Sequence, residues 1–190
     1  PGGRDIYIGT DWGKIFCIKG RDREIDVVYA FPERTRIAAA RFVGDRLWVL
    51  SETKGLFVLN VREKRIEKRY DFLLQEAENK VPAKCLYMDN QGRMWIGTQQ
   101  GLYLFDPERE VHRLFTRDVK EPFSLVNNSV WTIAGDEQGN LWIGTYSGGI
   151  SYLALNETTG FDTQTLDQYG FTPRPISAFV RQGDRLWLGT

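Results

Sequence analysis

Short apolar runs bounded by Gly, Asp or Asn recur along the whole chain. Val130 to Ala134 is β-branched and aromatic, Glu137-Gln138-Gly139-Asn140 is turn chemistry, and Leu141 to Thr145 is apolar again. Ser147-Gly148-Gly149 then turns, Ile150 to Leu155 makes a third run, and after Thr158-Thr159-Gly160 a more polar stretch covers Phe161 to Leu166. Such runs between such turns predict β-strands, four to a unit. The same order gives strands at 84–88, 94–98, 101–105 and 111–115, and at 39–43, 46–50, 55–59 and 66–70. The first unit lacks its innermost strand and gives 5–10, 14–18 and 25–31; the last keeps 176–180 and 185–190. A helical turn is expected only in long links, at Leu73 to Glu78 and Val119 to Leu125.

One word marks every unit: Ile6-Tyr7-Ile8-Gly9-Thr10, Leu47-Trp48-Val49-Leu50-Ser51, Met94-Trp95-Ile96-Gly97-Thr98, Leu141-Trp142-Ile143-Gly144-Thr145 and Leu186-Trp187-Leu188-Gly189-Thr190. Its aromatic positions lie 41, 47, 47 and 45 residues apart, the length of one four-stranded propeller blade. The expected fold is all-β, a partial β-propeller with three complete blades and two cut ones. Expected blade limits are 1–33, 34–76, 77–123, 124–170 and 171–190. Near-continuous hydrophobicity in the marked strands fits sheets covered on both faces. The glycines make room for close neighbours, and the Thr after each can bond locally at the strand end. Leu50-Ser51 breaks the Gly-Thr pattern, so the second blade is expected to pack differently there.

Residues Leu141 to Thr145, a short turn and then a Gly-led strand, preceded by Asp136-Glu137-Gln138-Gly139-Asn140, resemble the two-component-regulator propeller repeat. Asp89 to Arg93 followed by Met94-Trp95-Ile96-Gly97-Thr98-Gln99-Gln100-Gly101-Leu102-Tyr103 is similar to it. Such repeats usually build the extracytoplasmic sensor region of bacterial hybrid histidine kinases. The resemblance implies a seven-bladed ring of which this chain is a fragment, a periplasmic location, an oligosaccharide ligand, and a kinase and membrane helix outside these residues. Lys14, where the family usually has Leu, and Leu50-Ser51 depart from the pattern.

Composition narrows the chemistry. Twenty-five basic residues balance twenty-five acidic ones, leaving no net field to draw in nucleic acid or an anionic membrane. His112 is the single histidine, in an outer strand, so neither a histidine-based triad pair nor a histidine metal cluster is expected. Cys17 and Cys85 lie at different places in different repeats and are read as small buried apolar groups, with neither a disulfide nor a zinc site. The Asp-x-x-Gly turns lack the calcium-loop pattern, and no acid/base pair stands out, so no metal, cofactor or catalytic residue is expected.

Strand alternation brings the turns between second and third strands to the same face as the links between blades. That face collects Asp11-Trp12, Glu52-Thr53-Lys54, Gln99-Gln100 and Tyr146-Ser147 with links 71–82, 117–128 and 168–175. Trp12 and Tyr146 are candidates for stacking on a sugar ring, with Gln99, Gln100, Asn127, Asn128 and Arg174 as hydrogen-bonding partners. Inter-blade packing and turn capping are the alternative roles for the same side chains. A protein-interaction scaffold and a polysaccharide-cleaving enzyme are the other functional readings. The expected partners are an oligosaccharide or other small ligand, the remaining blades of a longer protein and a second copy of the piece. The membrane is reached only through the parent chain.

Overall fold

The computed structural model describes residues 5–20, 23–75, 81–155, 160–164, 174–183 and 185–190. Positions 158 and 159 of the turn at 158–160, the end of the strand expected to reach Leu166, positions 76–78 of the helical turn expected at 73–78 and most of the link 168–175 lie outside them. Two compact units divide the chain, Pro1–Ala83 and Lys84–Thr190.

In the first unit, β1 (Ile6–Gly9), β2 (Lys14–Ile18) and β3 (Ile25–Ala30) form one antiparallel sheet. A four-stranded sheet follows in chain order: β4 (Ile37–Val43), β5 (Arg46–Ser51), β6 (Gly55–Asn60) and β7 (Arg65–Tyr70), with a single helical turn, α1 (Phe72–Gln75), after it. The inner strands β5 and β6 are almost wholly buried, whereas β7 alternates charged residues at the outer edge, as edge strands must to avoid further pairing. Ile15, Val28, Leu47, Val49, Phe57 and Leu59 make the core, each worth about 1.5–3 kcal/mol of burial. Aromatic edges fasten it: Tyr7 on Phe42 at 4.7 Å and Phe31 on Phe57 at 5.0 Å.

In the second unit, β8 (Ala83–Met88), which begins at the boundary, joins β9 (Met94–Thr98), β10 (Leu102–Asp106) and β11 (Val111–Phe115). A second sheet holds β12 (Val130–Gly135), β13 (Leu141–Thr145), β14 (Ile150–Leu153) and β15 (Phe161–Gln164), and β16 (Ala178–Gln182) pairs with β17 (Arg185–Gly189). Trp95, Leu102, Leu125, Val130, Leu141, Ile143 and Phe161 form its core. Phe115 links them, stacked on Trp95 at 5.9 Å and edge-on to Phe161 at 5.4 Å.

The fold is thus a partial β-propeller, with the strands where the apolar runs predict them. The link 119–125 is the exception to the expected helical turns: it forms turns instead. The Asp118 carbonyl accepts from the Ser124 hydroxyl at 2.8 Å and from the Glu121 N–H at 3.2 Å, and Pro122 lacks the N–H a helix would use.

The glycine of the repeated word has a packing cause. A Cβ on Gly97 would lie 2.4 Å from Cys85 Sγ and 2.7 Å from Val130 Cγ1, and one on Gly144 would lie 2.7 Å from Ile176 Cγ2. Gly9 faces Ile37 in the same way at 2.6 Å. Leu50 takes this place in the second sheet and is fully buried; there the chain enters β8 through buried Val81 and Ala83, with the Ala83 N–H on the Glu52 carbonyl at 2.8 Å. The substitution Gly97→Ala is expected to destabilise by about 1–3 kcal/mol in urea denaturation, through overpacking. An unchanged midpoint would refute this packing.

Both cysteines are free thiols. Burial pushes the Cys85 thiol up from 9.0 to about 12, and burial followed by a hydrogen bond with Cys17 pushes the Tyr7 phenol up from 10.0 to about 12. Folded-state values above the unfolded ones mean that the fold favours the protonated forms. Their contribution is fully present below the unfolded values and is lost as pH rises through the folded ones. Denaturation midpoints should therefore hold up to about pH 9 and fall towards pH 12, less steeply in Cys85→Ala.

Candidate functional site

In the three four-stranded sheets the turn from the second to the third strand closes on a Thr or Ser. The Thr98 hydroxyl donates to the Gly101 carbonyl at 2.9 Å, the Thr145 hydroxyl to the Gly149 carbonyl at 2.9 Å, and Ser51 Oγ accepts the Lys54 N–H at 3.1 Å. These turns are held to the links that precede their own sheets: the Glu52 N–H donates to Arg36 O at 2.8 Å and the Tyr146 N–H to Ser129 O at 2.9 Å. Links and turns thus share one face, as strand alternation predicts.

In the second unit that face carries a cluster. β12 bulges at Trp131: Val130 pairs with Thr145 and Thr132 with Gly144, leaving Trp131 unopposed. A bulge re-aims the extra side chain, and here Trp131 meets Tyr146 with ring centroids 5.3 Å apart at 38°. The Trp131 indole N–H donates to Ser129 Oγ at 3.1 Å, and Lys84 Nζ lies 5.9 Å from the Trp131 ring. Tyr146 is 51% exposed. Asn127 braces the turn: its Nδ2 donates to Ser147 Oγ at 3.2 Å and its Oδ1 accepts the Ser129 N–H at 2.8 Å. Asn128 Oδ1 accepts the Arg117 N–H. The product is a half-exposed aromatic platform on a braced loop, edged by hydroxyls, amides and a cation.

Of the residues expected on this face, Tyr146 and Asn127 belong to the cluster and Asn128 adjoins it. Gln99 and Gln100 are exposed on the β9–β10 turn and Arg174 is exposed on its link. No hydrogen bond or ring contact among the described residues joins these three to the cluster. Trp12 belongs to the first unit, where it is 67% exposed and lies beneath the Arg34 guanidinium at 4.4 Å. Beside it Arg36 bridges Asp11 at 3.1 Å and Glu52 at 3.3 Å. Trp131, Ser129 and Lys84 are additions from the structure. Their sequence signal was slight: an aromatic beside Val130 in an innermost strand, where the second sheet has Ala38.

The turns at the opposite ends of the strands are built differently. Asp89 Oδ1 accepts the Gln91 and Arg93 N–H groups, while Oδ2 accepts Arg93 Nε at 2.8 Å and the Trp95 indole N–H at 2.9 Å.

Comparison with known proteins agrees with this architecture. The two-component regulator propeller family model matches residues 76–100 and 124–147. Among solved structures it is similar to the extracellular domain of the hybrid two-component system BT3049 of B. thetaiotaomicron, at 21% identity and TM-score 0.74, over 99% of this chain and 24% of that one. The extracellular domain of BT4673 from the same organism gives 16% identity and TM-score 0.75, over 98% and 26%. Virginiamycin B lyase from Staphylococcus aureus gives 13% identity and TM-score 0.68, over 99% and 59%. The chain spans about a quarter of the length of the two sensor domains. At these identities the likeness is one of fold. No curated protein matches the chain.

The bracing by Asn127 is open to test. Asn127→Ala removes two hydrogen bonds worth about 1–2 kcal/mol together, so exchange of the Ser129 and Tyr146 amides should accelerate by roughly 5–30-fold. Unchanged exchange would show that the turn is held without it.

Proposed function

We propose that this chain is a sensory, ligand-binding segment of a bacterial two-component signalling protein. It lies on the periplasmic side, recognises an oligosaccharide at the Trp131–Tyr146 face and relays occupancy to a kinase elsewhere in the same protein. The observation that carries this reading is the bulge that sets Trp131 beside exposed Tyr146 on a face rimmed by amides, within repeats of the two-component-regulator family. Aromatic faces with adjacent amides and hydroxyls suit the apolar faces and hydroxyl rims of sugar rings. The segment acts by binding and not by turnover. Among the described residues no helix is long and apolar enough to cross a membrane, so in this reading attachment belongs to the rest of the protein.

The test is an oligosaccharide array probed with the whole extracytoplasmic region, followed by titration of the hits. Trp131→Ala and Tyr146→Ala should each weaken binding by roughly tenfold or more, while Tyr146→Phe retains most of it. Full affinity in Trp131→Ala would overturn the assignment. A protein-docking scaffold is the second reading, favoured by Val119 and Phe123, which are 86% and 59% exposed on the link that Asp118 and Ser124 brace.

The same reading has the remaining blades of the longer protein covering the exposed apolar residues of β1 and of the β16–β17 sheet, Ile6, Ile8, Val180 and Trp187. The isolated chain should then pair with a second copy through them. Sedimentation is expected to show association that Ile8→Lys diminishes. A stable monomer without dye-binding apolar surface would refute it.

A further inference from the structure

A cleft of about 310 Å³ opens at the other end of β13, away from the Trp131–Tyr146 face, lined by Asp136, Glu137, Gln138, Trp142, Arg185 and Leu186 among others. Its size falls within the ~300–1,000 Å³ common for small-molecule sites. Two local departures from the repeat accompany it. The turn joining β12 to β13 runs from Asp136 to Asn140 and reaches back to the preceding turn, where Asn90 Nδ2 lies 3.3 Å from the Cβ position of Gly139. Between β16 and β17 only two positions intervene, against five between β12 and β13.

The second departure is chemical. Asp89 holds the Trp95 indole N–H and the Arg93 guanidinium on one oxygen, and Trp95 is 1% exposed. At the corresponding place in the next sheet Asn140 replaces Arg93. Its backbone N–H takes Asp136 Oδ1 at 2.8 Å and its Nδ2 takes Oδ2 at 3.1 Å. Trp142, whose ring lies 4.8 Å from that of Tyr152, is left half-buried at the cleft. Among the described residues its indole N–H, the Arg185 guanidinium and the Gln138 amide make no hydrogen bond. Trp142 is half-buried while Gln138 and Arg185 are exposed, so an indole and three donor groups line one open cleft.

We propose that this cleft is a second ligand site, independent of the Trp131–Tyr146 face, for one neutral polyhydroxylated ring such as a hexose unit. The indole offers a flat apolar surface for the ring, and its N–H, Gln138 and Arg185 offer donors to hydroxyl oxygens. Among the described lining residues the Asp136 carboxylate offsets the Arg185 guanidinium, so the cleft offers no net positive charge to an anionic ligand. A neutral polyol satisfies donors and acceptors alike.

Nitrogen-15 spectra of the indole N–H groups test this on the chain as it stands, with the Trp142 signal assigned from Trp142→Phe. The probes are the methyl glycosides of glucose, galactose and mannose at millimolar concentration, with glucuronate as the charged control. At least one neutral glycoside should move the Trp142 signal, and glucuronate should act more weakly. Asn140→Arg recreates the pairing around Asp89 and leaves the fold intact, so it should weaken binding by about tenfold or more at an unchanged thermal midpoint; Arg185→Gln should weaken it as well. The site is refuted by a Trp142 signal that no neutral glycoside moves, by wild-type affinity in Asn140→Arg, or by tighter binding of glucuronate. A structure of the whole extracytoplasmic region with the protein's own chain filling the cleft would refute it too. Failure of the oligosaccharide face would appear separately, as an unmoved Trp131 signal and a blank array.

Discussion

Each unit depends on a close approach in which a glycine near the end of a second strand admits a β-branched residue at the start of the next sheet. Ile37 enters over Gly9 in the first unit; Val130 enters over Gly97 and Ile176 over Gly144 in the second. Backbone bonds cross the same junction, from the Ile37 N–H to Thr10 O at 3.3 Å and from the Ile176 N–H to Thr145 O at 3.0 Å. Any Cβ at these glycines overlaps atoms that are already close-packed, and interiors at that density have little room to yield. The junction also sets where each innermost strand begins. The bulges lie one residue further on, at Ala38 in β4 and at Trp131 in β12.

Because the frame repeats, the chemistry displayed on it is free to differ. The corresponding bulge and turn carry Ala38 and Glu52 in the first unit but Trp131 and Tyr146 in the second. The first unit fills this region with charge: Arg36 spans Asp11 and Glu52, and the hydrogen bond to Asp11 is the largest of the contributions that raise its pKa. Lys54 pairs with Glu33, and Trp12 carries Arg34 on its face. Exposed ion pairs of this kind hold loops in place but contribute little to stability. In the second unit the same place presents aromatic surface, with the Trp131 indole N–H on a hydroxyl and the Tyr146 N–H on backbone.

The turns at the opposite ends show how one substitution redirects a motif. Asp89 and Asp136 occupy the same turn, and both cap it through Oδ1. With Arg93 following, the second oxygen gathers a guanidinium and an indole and the tryptophan is sealed. With Asn140 following, that oxygen is taken by a carboxamide and the tryptophan stays at a cleft.

Much of this was legible in the sequence because it is periodic. Alternation with Gly, Asp and Asn turns determines strands and their order, and a spacing near forty-five residues determines four-stranded sheets. The face bearing turns and links followed from strand direction, and Tyr146 and Asn127 lie on it. What the sequence could not determine was which side chains meet. Trp131 reads as one more apolar strand residue until the bulge, a register effect of the contact between two sheets, turns it towards Tyr146. For Asn127 and Asn128 the sequence leaves ligand contact and turn capping both open, and the structure shows their oxygens capping backbone N–H groups. Trp95 and Trp142 stand in the same word, yet the first is sealed and the second open, because Asp89 takes the Trp95 indole N–H while Asp136 is taken by Asn140. Periodicity is a property of neighbours along the chain, whereas a site is a meeting of distant residues, and only tertiary packing decides that.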